Sequence, residues 1–366
     1  MRPMFFIFFL ALVLGSMGYV LWHVWCILPF TKAVKWVVTI AMAACLLSMF
    51  FFLGGALDRM PLGLASACYD ISTSSIIILL YLFLLFIVAD VARLLHLLPA
   101  KLLHESWTGS AAILAIMLVL FIGGNIHYRN KVKVPLRLTT TKHLGKSYKM
   151  VMVSDLHIGY HNRCAELSRW VDLMNAEHPD IILIAGDIID NSVRPLFEEH
   201  MAEEFKRLEA PVYACLGNHE YFSKQPLARK FYKDAGIRLL IDEQAVVDSV
   251  ITIIGRDDRT NRQRSELDSL ARQAANSTYT IVLNHQPYEL EKVAQNHIDF
   301  QFSGHTHRGQ IWPISWITDH VYECSHGLWQ QGDTRVYVSS GLGIWGGKYR
   351  IGTQSEYVVV TLEEEQ

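Results

Sequence analysis

Four long apolar stretches at the start of the chain constrain its fold more than any other feature. They cover residues 5–28, 36–57, 71–89 and 106–126, and each has 19 to 24 residues without a single Asp, Glu, Lys or Arg. About 20 apolar residues in a helix cross the roughly 30 Å hydrocarbon core of a bilayer. We therefore predict an all-α region of four transmembrane helices over residues 1–127, with both of its ends on one side.

Charged residues are concentrated in the rest of the chain. Of 68 charged side chains among 366 residues, 10 fall within residues 1–127 and 58 follow them. This division excludes a purely soluble enzyme, a disordered protein and a fibrous repeat. The second part has 27 basic and 31 acidic residues. It lacks the basic excess typical of nucleic-acid-binding proteins, and no nucleic-acid partner is expected.

The basic residues around the apolar stretches indicate the side of the membrane on which the second part lies. Four lie on the far side of the four spans, and six lie on the side of the two ends: Arg2, Arg59, Arg129, Lys131, Lys133 and Arg137. The positive-inside rule therefore favours a multi-pass inner-membrane protein with a cytoplasmic C-terminal domain. Three cysteines without paired spacing in this domain predict no disulfide framework, which agrees with that side.

The soluble part alternates short β-rich runs with helical patterns. Residues 128–147 are polar and basic and are interpreted as a linker or a first edge strand, and residues 148–366 as a second domain. Strands are predicted at 149–154, 181–185, 212–216, 246–254, 280–283, 300–303, 336–338 and 357–362, and helices at 165–176, 197–208 and 226–235. This alternation predicts an α/β fold in which helices cover the sheets.

Polar clusters follow five of the predicted strands, at the point where each strand ends. Ligand sites in α/β sheets collect at the carboxyl ends of strands. Each cluster alone is better explained by a turn, a helix cap or a structural histidine. Together they would bring Asp, Asn and His side chains to one edge, which predicts a metal site. The clusters contain Asp155, His157, Asp187, Asp190, Asn218, His219, Glu220, His285, His305 and His307.

In chain order these clusters form a series that resembles the calcineurin-like metallophosphoesterase family. The series is D-x-H at 155–157, G-D-x-x-D at 186–190, G-N-H-E at 217–220, a single histidine at 285 and G-H-x-H at 304–307. The resemblance covers about residues 148–362. Residues 304–313 and 338–346 resemble the bacterial branch of membrane-associated phosphoesterases, although Arg308 stands where members of that branch commonly have glycine.

The resemblance implies a four-layer α/β/β/α sandwich with two divalent metal ions, Mn, Fe or Zn, at the sheet edge. Imidazole and carboxylate ligands suit such ions. It implies that His219 is the general acid. Asp190 and Glu220 are interpreted either as supports for the ligands or as carboxylates that cap helices. The implied ligands of one ion are Asp155, His157, Asp187 and His307, and those of the other are Asp187, Asn218, His285 and His305.

Three further features of this domain are not assigned as ligands or catalytic residues. Arg308 either contacts a substrate phosphate or is an ordinary solvated arginine. Residues 255–258 are interpreted as a structural turn. The glycine-rich stretch 341–347 is either a loop that borders the site or a break in a strand.

The expected function is hydrolysis of phosphate ester or pyrophosphate bonds by a hydroxide that two metal ions activate. The membrane spans either tether the domain or bring its site to a lipid-linked substrate. Four spans are more than an anchor needs, which favours a lipid over a phosphorylated small molecule. The alternatives are a nuclease or protein phosphatase of the same fold, and a non-enzymatic membrane sensor that binds a phosphorylated ligand. The charge balance argues against the nuclease, and the complete set of motif residues argues against the sensor.

Overall fold

A computed structural model describes residues 3–52, 55–223, 225–274 and 277–365. The chain divides into two compact units. The first comprises residues 1–125 and 346–348, and the second comprises residues 126–345 and 349–366. Residues 53 and 54, near the end of the predicted second span, and Gln366 lie outside the described residues.

The first unit is built from four helices: α1 (Pro3–Ile27), α2 (Lys32–Phe52), α3 (Leu62–Leu94) and α4 (Trp107–Arg129), the last of which ends in the second unit. Short 3-10 helices at Ala56–Arg59 and Ala100–Leu103 lie between them. All four helices are long and apolar enough to cross a membrane. Helix α3 has 33 residues and extends beyond the predicted run 71–89 at both ends. The chain is therefore a membrane protein.

Polar side chains inside the first unit connect its helices. The Tyr19 hydroxyl donates to Asp90 Oδ2 over 2.7 Å, and His23 Nε2 lies 3.0 Å from the same oxygen, so α1 and α3 are joined. The hydroxyl oxygens of Ser48 and Ser72 lie 2.6 Å apart and join α2 to α3. Hydrogen bonds between helices are the usual way in which polar groups are accommodated within a membrane.

Two six-stranded sheets form the centre of the second unit. The first contains β1 (Val132–Thr140), β2 (Tyr148–Val153), β3 (Ile181–Ala185), β4 (Val212–Cys215), β5 (Arg238–Leu239) and β12 (Glu356–Glu364), in the order β1-β12-β2-β3-β4-β5. The second contains β6 (Glu243–Val247), β7 (Ile251–Gly255), β8 (Tyr279–Leu283), β9 (Phe300–Ser303), β10 (Gly327–Gln331) and β11 (Thr334–Val338), in the order β10-β11-β9-β8-β7-β6.

Helices cover the outer face of each sheet. The first sheet is covered by α5 (Cys164–Asn175), α6 (Arg194–Glu198), α7 (Met201–Phe205) and α9 (Gln225–Asp234), and the second by α10 (Leu267–Ala271) and α11 (Leu290–Gln295). Two other helices are α8 (Asn218–Phe222) and α12 (Ile314–Val321).

Alternating strand residues supply separate cores. Successive side chains of a strand point to opposite faces of the sheet. On β2, Met152 joins the core between the sheets with Phe302 of β9, whereas Val151 packs in the outer core with Trp170 of α5. These layers confirm the predicted α/β/β/α sandwich.

Two predicted segments differ from the structure, and a third had two open interpretations. The strand predicted at 246–254 is instead the hairpin of β6 and β7, which turns at Asp248 and Ser249 with φ of 48° and 61°. The helix predicted at 197–208 is replaced by α6 and α7, which are separated by His200 at φ 52°. Of the two interpretations of residues 128–147, the edge strand is observed, because β1 pairs in parallel with β12.

Candidate metal centre

The strand ends gather the motif residues in one place. Strands β2, β3 and β4 are parallel neighbours in the first sheet, and β8 and β9 are parallel neighbours in the second. Parallel strands present their carboxyl ends at one edge, where ligand sites collect in α/β proteins. The residues that follow these five ends are Asp155, Asp187, Asn218, His285 and His305.

Several of these residues have left-handed backbone conformations. A non-glycine residue at positive φ costs about 1–3 kcal/mol and persists only where its surroundings hold it, commonly at functional sites. Backbone hydrogen bonds supply that support here, since Asp155 N donates to Gly186 O over 3.1 Å and His157 N donates to Asp187 O over 2.9 Å. The residues are Asp155 (φ 55°), His157 (45°), Asp187 (49°), His305 (71°) and His307 (47°).

One group of candidate ligands contains Asp155, His157 and His307, whose ligand atoms all lie within 4.8 Å of one another. His157 Nε2 lies 3.0 Å from His307 Nε2. His307 Nε2 lies 3.5 Å from Asp155 Oδ1, and His157 Nε2 lies 3.7 Å from Asp187 Oδ2. Two imidazole nitrogens and two carboxylates therefore lie close together.

A second group contains Asp187, His285 and His305. His285 Nε2 lies 3.1 Å from Asp187 Oδ2 and 3.2 Å from Asn218 Oδ1. His285 Nδ1 lies 2.8 Å from Ala185 O, to which it can only donate, so Nε2 faces the group. Asp187 belongs to this second group and also borders the first, through its 3.7 Å contact with His157 Nε2, as a carboxylate shared between two ions would.

The fifth histidine of the motifs, His219, lies beside Asp187. One ring nitrogen of His219, one of His157 and one carboxylate oxygen of Asp187 all lie within 4.8 Å of one another. Its Nδ1 lies 3.1 Å from the backbone oxygen of Asp190 and 3.2 Å from Asp190 Oδ1. The ring centroid is 4.5 Å from that of His157. Asp190 therefore holds the His219 ring through Nδ1.

Burial and nearby carboxylates act differently on the histidines of this centre. Burial lowers the pKa of His305 to about 4 and holds the pKa of His307 well below its usual range. Both rings are therefore neutral near pH 7, with a lone pair available for a cation. Burial opposes protonation of His219 as well, but the carboxylates of Asp187 and Asp190 outweigh it and raise its pKa to about 9.

Asp190 and Glu220 support the centre rather than acting only as helix caps. Asp190 Oδ1 lies 3.4 Å from His157 Nδ1 and 3.2 Å from His219 Nδ1. Hydrogen bonds from both histidines outweigh burial and lower the pKa of Asp190. The Glu220 carboxylate accepts from the backbone amides of residues 187, 189 and 217 over 3.2, 3.0 and 2.8 Å, and from Tyr232 Oη over 2.8 Å. It thereby holds the loop that carries Asp187.

Sequence reasoning missed two supporting residues. Arg350 is fully buried and donates to the backbone oxygens of His307 over 2.6 Å and Ser340 over 2.5 Å. No motif marks it, because it lies 43 positions after His307. The Ser154 hydroxyl donates to Asp155 Oδ2 over 2.5 Å. The position of Ser154 immediately before Asp155 of the D-x-H motif is the sequence feature that could have indicated this role.

The structure also shows where the glycine-rich stretch 341–347 and the turn at 255–258 lie. The glycine-rich stretch borders the centre, since a Cβ on Gly341 would lie 3.0 Å from Asp155 Cβ. The turn at 255–258 is buried and braced. Tyr221 Oη donates to Asp257 Oδ1 over 2.5 Å, and Gln286 Nε2 donates to Asp258 Oδ2 over 2.8 Å. These contacts fit the structural-turn interpretation.

The donor set of this centre fits divalent cations. Imidazole nitrogens and carboxylate oxygens suit ions such as Zn, Fe and Mn. Two imidazole Nε2 atoms 3.0 Å apart, with Asp155 Oδ1 at 3.5 and 3.9 Å, form an arrangement that a cation between them would stabilise.

Comparison with known proteins identifies the family. The family model described as calcineurin-like phosphoesterase matches residues 148–309. A metallophosphoesterase of Bacillus subtilis, YkuE, is 30% identical over 265 residues, which are 66% of this chain and 91% of the relative. An uncharacterized metallophosphoesterase of Campylobacter jejuni is 30% identical over 60% of each chain. A Danio rerio protein named transmembrane protein with metallophosphoesterase domain is 27% identical over 59% of this chain and 53% of the relative.

The chain belongs to the calcineurin-like metallophosphoesterase family, as the order of its motifs predicts. Its match spans about 60% of the length of the first three curated relatives.

Proposed function

We propose that the protein is a membrane-anchored, metal-dependent hydrolase of phosphate ester or pyrophosphate bonds. One observation carries this proposal: side chains from five strand ends form two neighbouring groups of ligand atoms, and Asp187 belongs to one group and borders the other. A shared carboxylate can hold two cations about 3.5–4 Å apart, the separation found in two-metal phosphatases. The family membership supports the same conclusion.

The proposed ligands divide between the two groups. We assign Asp155, His157 and His307 to one cation, Asn218, His285 and His305 to the other, and Asp187 to both. When bound, divalent cations polarise phosphate oxygens and lower the pKa of water so that hydroxide is available near neutral pH.

We propose that His219 protonates the leaving oxygen of the substrate. Asp190 holds the ring through Nδ1, which leaves Nε2 directed toward a substrate at the shared carboxylate. A histidine positioned as a proton donor typically accelerates such steps by about 10²–10⁴-fold. Asp190 contributes by keeping the ring in this orientation.

We further propose that the substrate is lipid-linked and that the second unit lies on the cytoplasmic side of the inner membrane. The four apolar helices support the first point, because a site tethered to a bilayer meets substrates in that bilayer at high effective concentration. The excess of basic residues on the side of the chain ends supports the second.

Hydrolysis of two chromogenic substrates, a phosphomonoester and a phosphodiester, tests the proposal. The full-length protein is assayed with added Mn²⁺ beside Asp187→Asn and His219→Ala. Asp333→Asn and His143→Ala, which change exposed residues, are the matched controls. We expect Asp187→Asn to abolish turnover, His219→Ala to weaken it and both controls to retain it. Equal activity in Asp187→Asn and its control would refute the proposed site.

The same assay in proteoliposomes tests the lipid preference. We expect faster hydrolysis of a phosphodiester carried on a lipid embedded in the bilayer than of a soluble diester with the same leaving group. Equal rates on the two substrates would refute the lipid-linked substrate while leaving the hydrolase intact.

A further inference from the structure

Helix α12 carries its apolar side chains outward. Trp316, Ile317 and Val321 are 63%, 56% and 62% exposed, whereas Ser315 is buried. Trp312, just before the helix, is 40% exposed and packs edge-on against Trp316, with ring centroids 5.4 Å apart. A surface helix of a water-soluble domain places apolar residues toward the core. On α12 three apolar side chains face outward instead, and we call Trp312, Trp316, Ile317 and Val321 the α12 patch.

The α12 patch is attached closely to the candidate metal centre. A 3-10 turn at His307–Gly309 leads from a proposed ligand into the helix. A Cβ on Gly309 would lie 2.5 Å from Ser315 N, so the turn packs directly on the start of α12. Trp312 N also donates to Ile351 O over 2.7 Å. A surface that binds the α12 patch would therefore contact a helix that packs directly on the turn beginning at His307.

We infer that the α12 patch inserts into the surface of a lipid bilayer. Tryptophans beside aliphatic side chains are typical of membrane interfaces, where such faces are buried about 5–10 Å into the headgroup region. Exposed apolar patches of this kind otherwise mark protein partners. The chain itself favours the bilayer, because only Asn130 and Lys131 separate the end of membrane-crossing α4 from β1. The three Cα–Cα steps from Arg129 to Val132 span at most about 11 Å, so β1 begins close to the end of a helix that is long and apolar enough to cross a membrane.

This inference rests on the proposed function and deepens it. If the substrate is lipid-linked, a helix inserted beside a metal ligand fixes the height of the centre above the bilayer. The substrate's phosphate then lies near the ligands without leaving the headgroup region. The four membrane-crossing helices tether the protein, and the α12 patch orients its site.

Site-specific photo-crosslinking of the full-length protein in proteoliposomes tests the inference. A diazirine amino acid is incorporated at position 317 and, in a matched control, at position 246. Ile317 and Val246 are both aliphatic and are 56% and 54% exposed, but Val246 lies on β6 at the edge of the second sheet. The vesicles contain a fluorescent phosphatidylethanolamine, and adducts are separated on a gel.

We expect a lipid adduct from position 317 at least about fivefold stronger than from position 246, because membrane contact scales with the buried apolar face. A chain-to-chain adduct from position 317 would overturn the inference and assign the patch to a second copy of the protein. Equal lipid labelling at both positions would also overturn it. The readout needs no turnover, so its failure is separate from failure of the proposed hydrolase.

A kinetic measurement provides a second test. The double variant Trp316→Ser/Ile317→Ser removes two exposed side chains that pack no core. We expect unchanged hydrolysis of the soluble diester and at least about a fivefold loss on the bilayer-embedded diester. Equal losses on both substrates, or no loss on either, would contradict a membrane-inserting role.

Discussion

Replacing Asp190 by asparagine tests how the centre positions its histidines. Oδ1 of Asp190 lies 3.4 Å from His157 Nδ1 and 3.2 Å from His219 Nδ1, and Asn191 donates to Oδ2 over 3.0 Å. Asparagine keeps the shape but removes the charge. A hydrogen bond to a charged group is worth about 1 kcal/mol more than one between neutral groups. Two such bonds amount to about 2 kcal/mol, or about 30-fold in rate.

The assay is the turnover of the chromogenic phosphodiester with saturating Mn²⁺. We expect Asp190→Asn to reduce it about 30-fold. In a His219→Ala background, only the contact of Asp190 with His157 remains of the two. Asp190→Asn should therefore reduce turnover about fivefold in that background. Wild-type turnover in Asp190→Asn, or an undiminished 30-fold effect in the His219→Ala background, would refute the reasoning.

Three further substitutions probe the supports of the fold and the centre. In Glu220→Gln, two of the four groups that donate to the carboxylate would face the side-chain NH2 group, which cannot accept. This change should lower the midpoint of thermal unfolding by about 6–12 °C, and Tyr232→Phe should lower it less. Arg350→Lys replaces the two separate nitrogens that bond His307 O and Ser340 O by a single ammonium on a shorter side chain. It should lower the midpoint in calorimetry by about 4–8 °C, whereas no change would contradict its role. Burial opposes ionisation of Glu356, but hydrogen bonds from His326, Ser340 and Tyr337 outweigh it and lower its pKa. The carboxylate therefore stabilises the fold at pH values above the ordinary glutamate pKa of about 4.3. The stability deficit of Glu356→Gln should therefore be full at pH 7 and shrink as the pH falls below about 4, and a deficit independent of pH would contradict this.

The sequence predicted most of the centre because its residues follow strands directly. Asp155, Asp187 and His305 come within two residues of a strand end, where parallel pairing brings them to one edge. Side-chain supports that depend on distant chain segments left no such signal. Arg350 reaches back to His307, and β12 pairs with both β1 and β2.

Local breaks escaped prediction for a different reason. The hairpin at Asp248 and Ser249 and the break at His200 depend on single residues with positive φ, which apolar periodicity does not register. The sequence of α12 likewise contains Trp, Ile and Val at helical spacing. Periodicity alone assigns such residues to a core, and only the packing of Ser315 reveals that they face outward.

The central claim is a pair of cations that share Asp187. Elemental analysis of the purified full-length protein, after equilibration with Mn²⁺ and removal of free metal, measures this most directly. We expect two metal ions per chain in the wild-type protein and in Asp333→Asn. Asp187→Asn should lose both, since it removes the shared carboxylate. Zero or one ion per wild-type chain, or two ions in Asp187→Asn, would contradict the account.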